Sequence, residues 1–282
     1  MIRLIADSTC DLSPELRKRY GVDILPLNTN LGSRAYTDGV DITPEELYAW
    51  SDETKETPKT AVFSLEQAKD KFRPYLAQGD ELICFSISES MSASGQVMRL
   101  AANELHAGDR IHVIDSQNLS TGIGLLVLMA ADLIQKGLPA AEVVRQTEAA
   151  RPFVRSSFIV DTMTYLHRGG RCSGAVALTG NLLRIHPRIV VENGAMHADK
   201  KYRGRLNHVL MEYAEDLKPS LEHARKNRVF VTHSGCDQEI EDSIVQFLAD
   251  MHHFGEIHVT RAGSVISSHC GPNTLGILFI TE

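Results

Sequence analysis

Short apolar runs separated by helix-length amphipathic stretches recur along nearly the whole chain, and this alternation restricts it to a sheet layered with helices. The runs are Ile2 to Ala6, Ile24 to Leu27, Leu82 to Ile87, Ile111 to Ile114, Phe158 to Val160, Ile189 to Val191, Val229 to Val231, Ile257 to Val259 and Leu275 to Ile280. Between them, Leu65, Ala68, Phe72 and Tyr75-Leu76 share one helical face. Val97, Leu100, Ala101 and Leu105 share another, and Ile240, Ile244, Phe247, Leu248 and Met251 a third. Ser13-Pro14-Glu15 and Thr43-Pro44-Glu45-Glu46 mark helix starts, the second with the spacing of a capping box. The fold class is therefore α/β.

The 282 residues, 43% of them hydrophobic, suffice for two modest domains. The seam is expected near Arg151-Pro152, giving domains 1–155 and 156–282. A net charge of −7 argues against nucleic acid as a partner. Asp7 interrupts the N-terminus before any long apolar stretch forms, which rules against a secretory signal. Ile123 to Ile134 is too short to cross a bilayer and contains Asp132, so it reads as a helix buried on most sides, with no stable membrane insertion. Five scattered cysteines without CxxC spacing suit neither a disulfide framework nor a zinc ribbon, and a cytoplasmic location is expected.

Three apolar runs end in small polar groups: Asp7-Ser8-Thr9, Ser86-Ile87-Ser88 and Asp115-Ser116. In an open parallel sheet, ligands bind outside the carboxyl ends of the strands, so these residues should line one crevice. The segment 86–95, SISESMSASG, puts five serines there. With Ser92 as cap of the following helix, its hydroxyl and the free amides would favour an anion, whereas turn and cap serines can equally serve only the local backbone. Glu89 must then face solvent or meet a cation.

A second constellation is basic. From Leu166 to Arg205 there are eight Lys/Arg (168, 171, 184, 188, 200, 201, 203 and 205) against Glu192 and Asp199. Arg168-Gly169-Gly170-Arg171 reads as a flexible loop suited to phosphate or carboxylate, and Lys200 to Arg205 as a hairpin tip on a solvated face. Ser267 to Pro272 reads as a turn before the last strand, with His269 at a site rim or simply on the surface; His233 is equally open. GxSxG, GxxxxGK[ST] and HExxH are absent, and no histidine pair has metal-ligand spacing on a helix. Thr121-Gly122-Ile123-Gly124 is only a fragment of a dinucleotide fingerprint.

Taken in order, these motifs resemble the DegV family of bacterial lipid-binding proteins. Asp7 to Leu12 is similar to its DST-x-DL opening, Ile114-Asp115-Ser116 to its IDS, and 158–173 to VDT-x-x-YL-x-RGGR. Arg203-Gly204-Arg205 resembles its RGR turn and His269 to Pro272 its H-x-GP. The resemblance implies two α/β domains that bury one long-chain fatty acid between them. It also implies a non-catalytic subunit, without cofactor, that presents the acid to a separate dihydroxyacetone-kinase-like fatty acid kinase subunit for phosphorylation by ATP. By position, Thr60 and Ser92, with Ala93 beside them, would hold the carboxylate. Arg171, Arg203 and His269 would lie at the phosphoryl-transfer surface. Ile123, Leu126 and Met129 would serve as tunnel wall or as core. The chain departs from the family pattern at Ala61 to Ser64, at Ala93-Ser94 and at Asn273. The rival readings are a serine-dependent hydrolase using His269 or His233 as base, and a binding protein for another small anionic metabolite.

Overall fold

The computed structural model describes residues 1–173 and 184–282. The first part of the chain runs β1 (Ile2–Asp7), α1 (Pro14–Tyr20), β2 (Val22–Leu25), β3 (Asn28–Leu31), β4 (Arg34–Thr37), α2 (Pro44–Thr54), β5 (Lys59–Ala61), α3 (Leu65–Ala77), β6 (Glu81–Ser86), α4 (Ser94–Glu104) and β7 (Ile111–Asp115). Helices α5 (Thr121–Gln135) and α6 (Ala140–Ala150) follow, and a single 3-10 turn at Arg151–Phe153 leads into the second part. That part runs β8 (Val154–Ile159), α7 (Thr164–Gly169), β9 (Cys172–Ser173), β10 (Ile185–Glu192), β11 (Ala195–Arg203), α8 (Leu206–Leu221), β12 (Arg228–His233), α9 (Gln238–Asp250), β13 (Glu256–Arg261), α10 (Ser264–Cys270) and β14 (Leu275–Ile280).

These strands make a four-stranded parallel sheet β2-β1-β6-β7, a seven-stranded mixed sheet β13-β12-β14-β8-β10-β11-β9 and a small antiparallel sheet β4-β3-β5. Parallel pairing places Asp7, Ser86 and Asp115 at the same end of the first sheet, as the crevice argument requires. Helix α5 is buried on nearly every side. Its apolar residues join Leu4 and Phe85 of the first sheet to Phe158 and Leu278 of the second in one continuous core. Gly122 and Gly124 let it pack this closely: a Cβ at Gly122 would meet Asn118 Oδ1 at 2.1 Å, and one at Gly124 would meet Leu12 at 2.9 Å. They are packing glycines, which accounts for the dinucleotide-like fragment. The capping box at Thr43 and Glu46 is formed.

Several expectations need correction. The strands β3, β4 and β5 have polar sequences (NTNL, RAYT, KTA) and no apolar run to announce them. Leu100 is exposed, and Met98 and Ala102 take the buried face of α4 with Ala101. The hairpin turns at Asn193-Gly194, so Lys200 to Arg203 form the far end of strand β11. Gly169 ends helix α7 and Gly170, at φ +66°, caps it, so 168–171 is a helix terminus. Residues 264–270 are helical despite three serines.

Candidate functional site

Asp7, at the carboxyl end of β1, organises the serine segment. It is fully buried and accepts hydrogen bonds from Thr9 N (3.2 Å), Thr9 Oγ1 (2.5 Å), Ile87 N (2.9 Å) and Ser94 Oγ (2.6 Å). Burial pushes its carboxyl pKa up, against the pull of those donors. Ser88 Oγ donates to the Gly194 carbonyl at 2.6 Å and Ser90 donates to the same oxygen, tying the segment to the β10–β11 turn. Glu89 meets a cation, Arg99. Most of these serines therefore hold backbone in place. Ser92 differs: it lines a cavity, and its Oγ accepts from Ser94 N at 3.3 Å. It stands one residue before the helix cap, which is Ala93; the φ −81°, ψ 10° backbone of Ala93 accepts a Cβ without strain.

Across from it lies α10. Asp38, beyond β4, accepts from Ser264 N (2.7 Å), Ser264 Oγ (2.7 Å) and Val265 N (3.3 Å), while Asp11 accepts from Gly263 N (2.9 Å). Two carboxylates from the first part of the chain thus hold the start of a helix in the second part, and these long-range bonds outweigh the weak helix propensity of its serines. The helix delivers His269, whose Nε2 lies 3.0 Å from Thr60 Oγ1 on β5. Its Nδ1 is buried against Gly169 without a hydrogen-bond partner among the described residues, and a Cβ on Gly169 would come within 2.3 Å of it. Burial and then Arg171 lower the His269 pKa to about 4, so the ring is neutral at pH 7. A buried N–H is orphaned less readily than a lone pair, which places the proton on Nε2. Nε2–H donates to Thr60, leaving the Thr60 hydroxyl proton free to point elsewhere.

Thr60, Ser92, Ala93, Arg171 and His269 all line this one cavity of about 160 Å³. Leu27, Ile87, Leu119, Val265 and Ile266 supply its apolar wall. Ala93 and Arg171 are exposed and mark where it meets solvent; Arg171 also spans to the Gly169 and Met91 carbonyls. A second void of about 20 Å³ shares Leu119, Ile266 and Cys270 with the first and continues past Phe158, Gly276 and Leu278. Its hydroxyls are already paired, Thr121 with Thr232 at 2.6 Å and Ser234 with the Gly271 carbonyl at 2.5 Å, so it offers mainly carbon. The two adjoining voids make a mainly apolar slot whose larger part carries the polar groups.

Arg203 stands apart. It is exposed at the end of β11, seven residues beyond the cavity-lining Met196; at strand rise that is roughly 23 Å. Ile123 and Leu126 pack in the core and are not part of the slot wall. The sequence reading missed Leu27, Ala61, Val62, Met91, Met196 and Val265. Leu27 follows β2 and was accessible to the strand-end rule, whereas Met196 sits on a strand with no apolar signature. Phe63 is buried in the core of the first part and leaves the cavity wall to Ala61 and Val62. Asn273 takes φ +59°, which asparagine tolerates, and donates to Asp161 at 3.1 Å.

The hydrolase reading gains no constellation. Among the described residues no serine hydroxyl is hydrogen-bonded to a histidine ring; the partner of His269 is a threonine, and no acid orients its other nitrogen. His233, Cys236 and Glu241 do cluster, with ligand atoms within 4.8 Å. However, His233 Nδ1 accepts from Gly235 N and Cys236 N, which leaves the proton on Nε2, facing Glu241. That ring is already committed as a loop clamp.

The sequence profile described as "Uncharacterised protein, DegV family" matches residues 1–282. A DegV domain-containing protein of Deinococcus radiodurans is 31% identical, covering 98% of this chain and 97% of that one. Among solved structures, a DegV family protein from Thermus thermophilus, described as fatty acid binding, superposes with TM-score 0.91 at 32% identity, covering 100% of this chain and 99% of that one. A stearic-acid-binding protein from Eubacterium ventriosum gives TM-score 0.85 at 29% identity, covering 100% and 98%. By sequence over its full length and by fold, this chain belongs to the DegV family.

Proposed function

We propose that this protein binds a long-chain fatty acid in the slot between its two larger sheets, carboxylate toward Thr60 and Ser92, and presents it to a separate ATP-dependent kinase subunit. The observation that carries the reading is the pairing of two adjoining, mainly carbon-lined voids with the hydroxyls of Thr60 and Ser92 in the larger one. Relatives of the same fold described as binding fatty acids support it. Burying methylenes is worth about 0.8 kcal/mol each, so a tail of about a dozen contributes on the order of 10 kcal/mol before ordering and association losses. The head group then needs orientation more than energy. Thr60 supplies a donor directed by His269, and Ser92 supplies a second next to the first amides of α4. Arg171 at the opening adds attraction for an anion.

A cavity of about 160 Å³ accepts a benzene-sized body. A long tail must therefore enter the second void as well and move Phe158, Leu119 or Ile266 as it does so. The exposed cations Arg171 and Arg203 support kinase presentation, and in this reading Arg203, which does not line the cavity, contacts the partner. The test is mass spectrometry of solvent extracts from protein purified from its native host, together with thermal shift on adding palmitate or oleate. Fatty acid in the extract and a rise in Tm are expected. An empty extract with no shift for either acid refutes the reading.

A further inference from the structure

A larger cavity, of about 520 Å³, lies at the junction of the two parts of the chain, outside the fatty acid slot. It forms where β10 leaves β8: pairing ends at Val191 with Ser156, and the strand continues to the turn at Asn193. Its volume falls in the range of small-molecule sites. Phe279, Leu217 and Val190 give it apolar lining, and Asn118, Arg151 and Arg155 polar lining. Arg188 also lines it, but its charge is matched by Asp199.

The two remaining arginines are the notable feature. Arg151 Nη1 donates to the Asp115 carbonyl at 2.9 Å and Arg155 Nη1 to the Pro152 carbonyl at 2.8 Å; among the described residues neither meets a carboxylate. The Nε of Arg151 is buried with no partner. Ser156, only 4% exposed, lines the same cavity with an Oγ that also lacks a partner. A buried hydroxyl and a buried guanidinium nitrogen left unpaired are unfavourable unless something else bonds them. Glu192 also lines the cavity but is largely exposed and lies 3.6 Å from His197, so the two cations without a carboxylate partner favour an anion there.

We infer that this junction cavity is a second ligand site, for a small organic anion whose phosphate or carboxylate meets Arg151, Arg155 and Ser156 while a compact apolar body rests on Phe279 and Leu217. Phosphate and carboxylate are the same recognition chemistry here, and the probes separate them.

The test is calorimetric titration of the full-length protein with phenyl phosphate and, separately, with benzoate, alongside Arg155→Ala and Ser156→Ala. Arg155 is exposed and Ser156 Oγ holds nothing in place, so both variants should fold with Tm close to that of the unchanged protein. Binding of at least one probe is expected, weakened about tenfold or more by Arg155→Ala and several-fold by Ser156→Ala, with the palmitate thermal shift unchanged in both. Binding of phenyl phosphate alone assigns a phosphate ligand, and binding of benzoate alone a carboxylate. No binding of either at millimolar concentration, or binding indifferent to both substitutions, overturns the proposal. The palmitate measurement is separate, so failure here leaves the fatty acid reading untouched.

Discussion

Acidification should expose the state of His269 directly. Its folded pKa of about 4 lies below the ordinary value near 6.5, because the ring is buried and Arg171 is close. Between those values the unfolded chain binds a proton that the folded chain does not. The neutral ring's contribution is complete above about pH 6.5 and is lost as pH falls toward 4, reaching on the order of 3 kcal/mol. Other groups titrate in the same range, among them buried Asp7 and Asp11, whose pKa values are raised. The measurement is therefore a difference: urea unfolding from pH 4 to 8 for the unchanged protein and for His269→Gln, whose amide nitrogen can replace Nε2–H toward Thr60. The stability difference between the two should be flat above pH 7 and should move against the histidine protein by about 3 kcal/mol by pH 4. A difference that stays level over the whole range, or an NMR titration of the His269 ring centred near 6.5, would refute the buried neutral imidazole and the tautomer assigned from it.

Thr60→Ala and Ser92→Ala should each weaken fatty acid binding about ten- to a hundredfold, the scale of a hydrogen bond to a charged group, measured by fluorescent fatty acid displacement. An unchanged affinity in both would remove the carboxylate from this end of the slot. Arg203→Ala should leave that affinity intact yet slow acyl phosphate formation by the kinase subunit, and a wild-type rate would sink the partner-facing role. Gly122→Ala places a Cβ 2.1 Å from Asn118 Oδ1, so chemical denaturation should show a loss of about 1–3 kcal/mol; a neutral result would mean that α5 can shift where the packing says it cannot.

Elements made by apolar runs were legible in the sequence, and elements made by long-range polar ties were not. β1, β6, β12 and β14 announce themselves because each buries several consecutive apolar side chains. α5 does so because it is apolar all round. The residues 264–270 look like a turn because Ser264, Ser267 and Ser268 compete with a helical backbone. The helix exists because Asp38, 226 positions away, accepts from Ser264 N. The same holds for the polar strand β5, which carries Thr60 and forms by pairing with β3. At the site, Thr60, Ser92 and His269 were found by motif, but the 3.0 Å contact between Thr60 and His269, 209 positions apart, has no local signal. Nor does the need for glycine at 169, which arises only once α7 and α10 are packed together.

The chemistry of the polar end also says where selectivity must lie. A fully buried ion pair would lose several kcal/mol per ion to desolvation, and the chain avoids this by presenting neutral groups inward: two hydroxyls, a neutral imidazole and the first amides of a helix. Arg171, the one charged lining residue of that cavity among the described residues, keeps its contact with water. On the proposed function, such an end would accept any carboxylate of the right reach and would distinguish neither tail length nor saturation. Discrimination would then fall to Leu119, Ile266 and Cys270, which line both voids, and to Phe158, where a tail would have to displace close-packed side chains. Changes at those positions should alter which acid is held, whereas changes at Thr60 or Ser92 alter how tightly every acid is held.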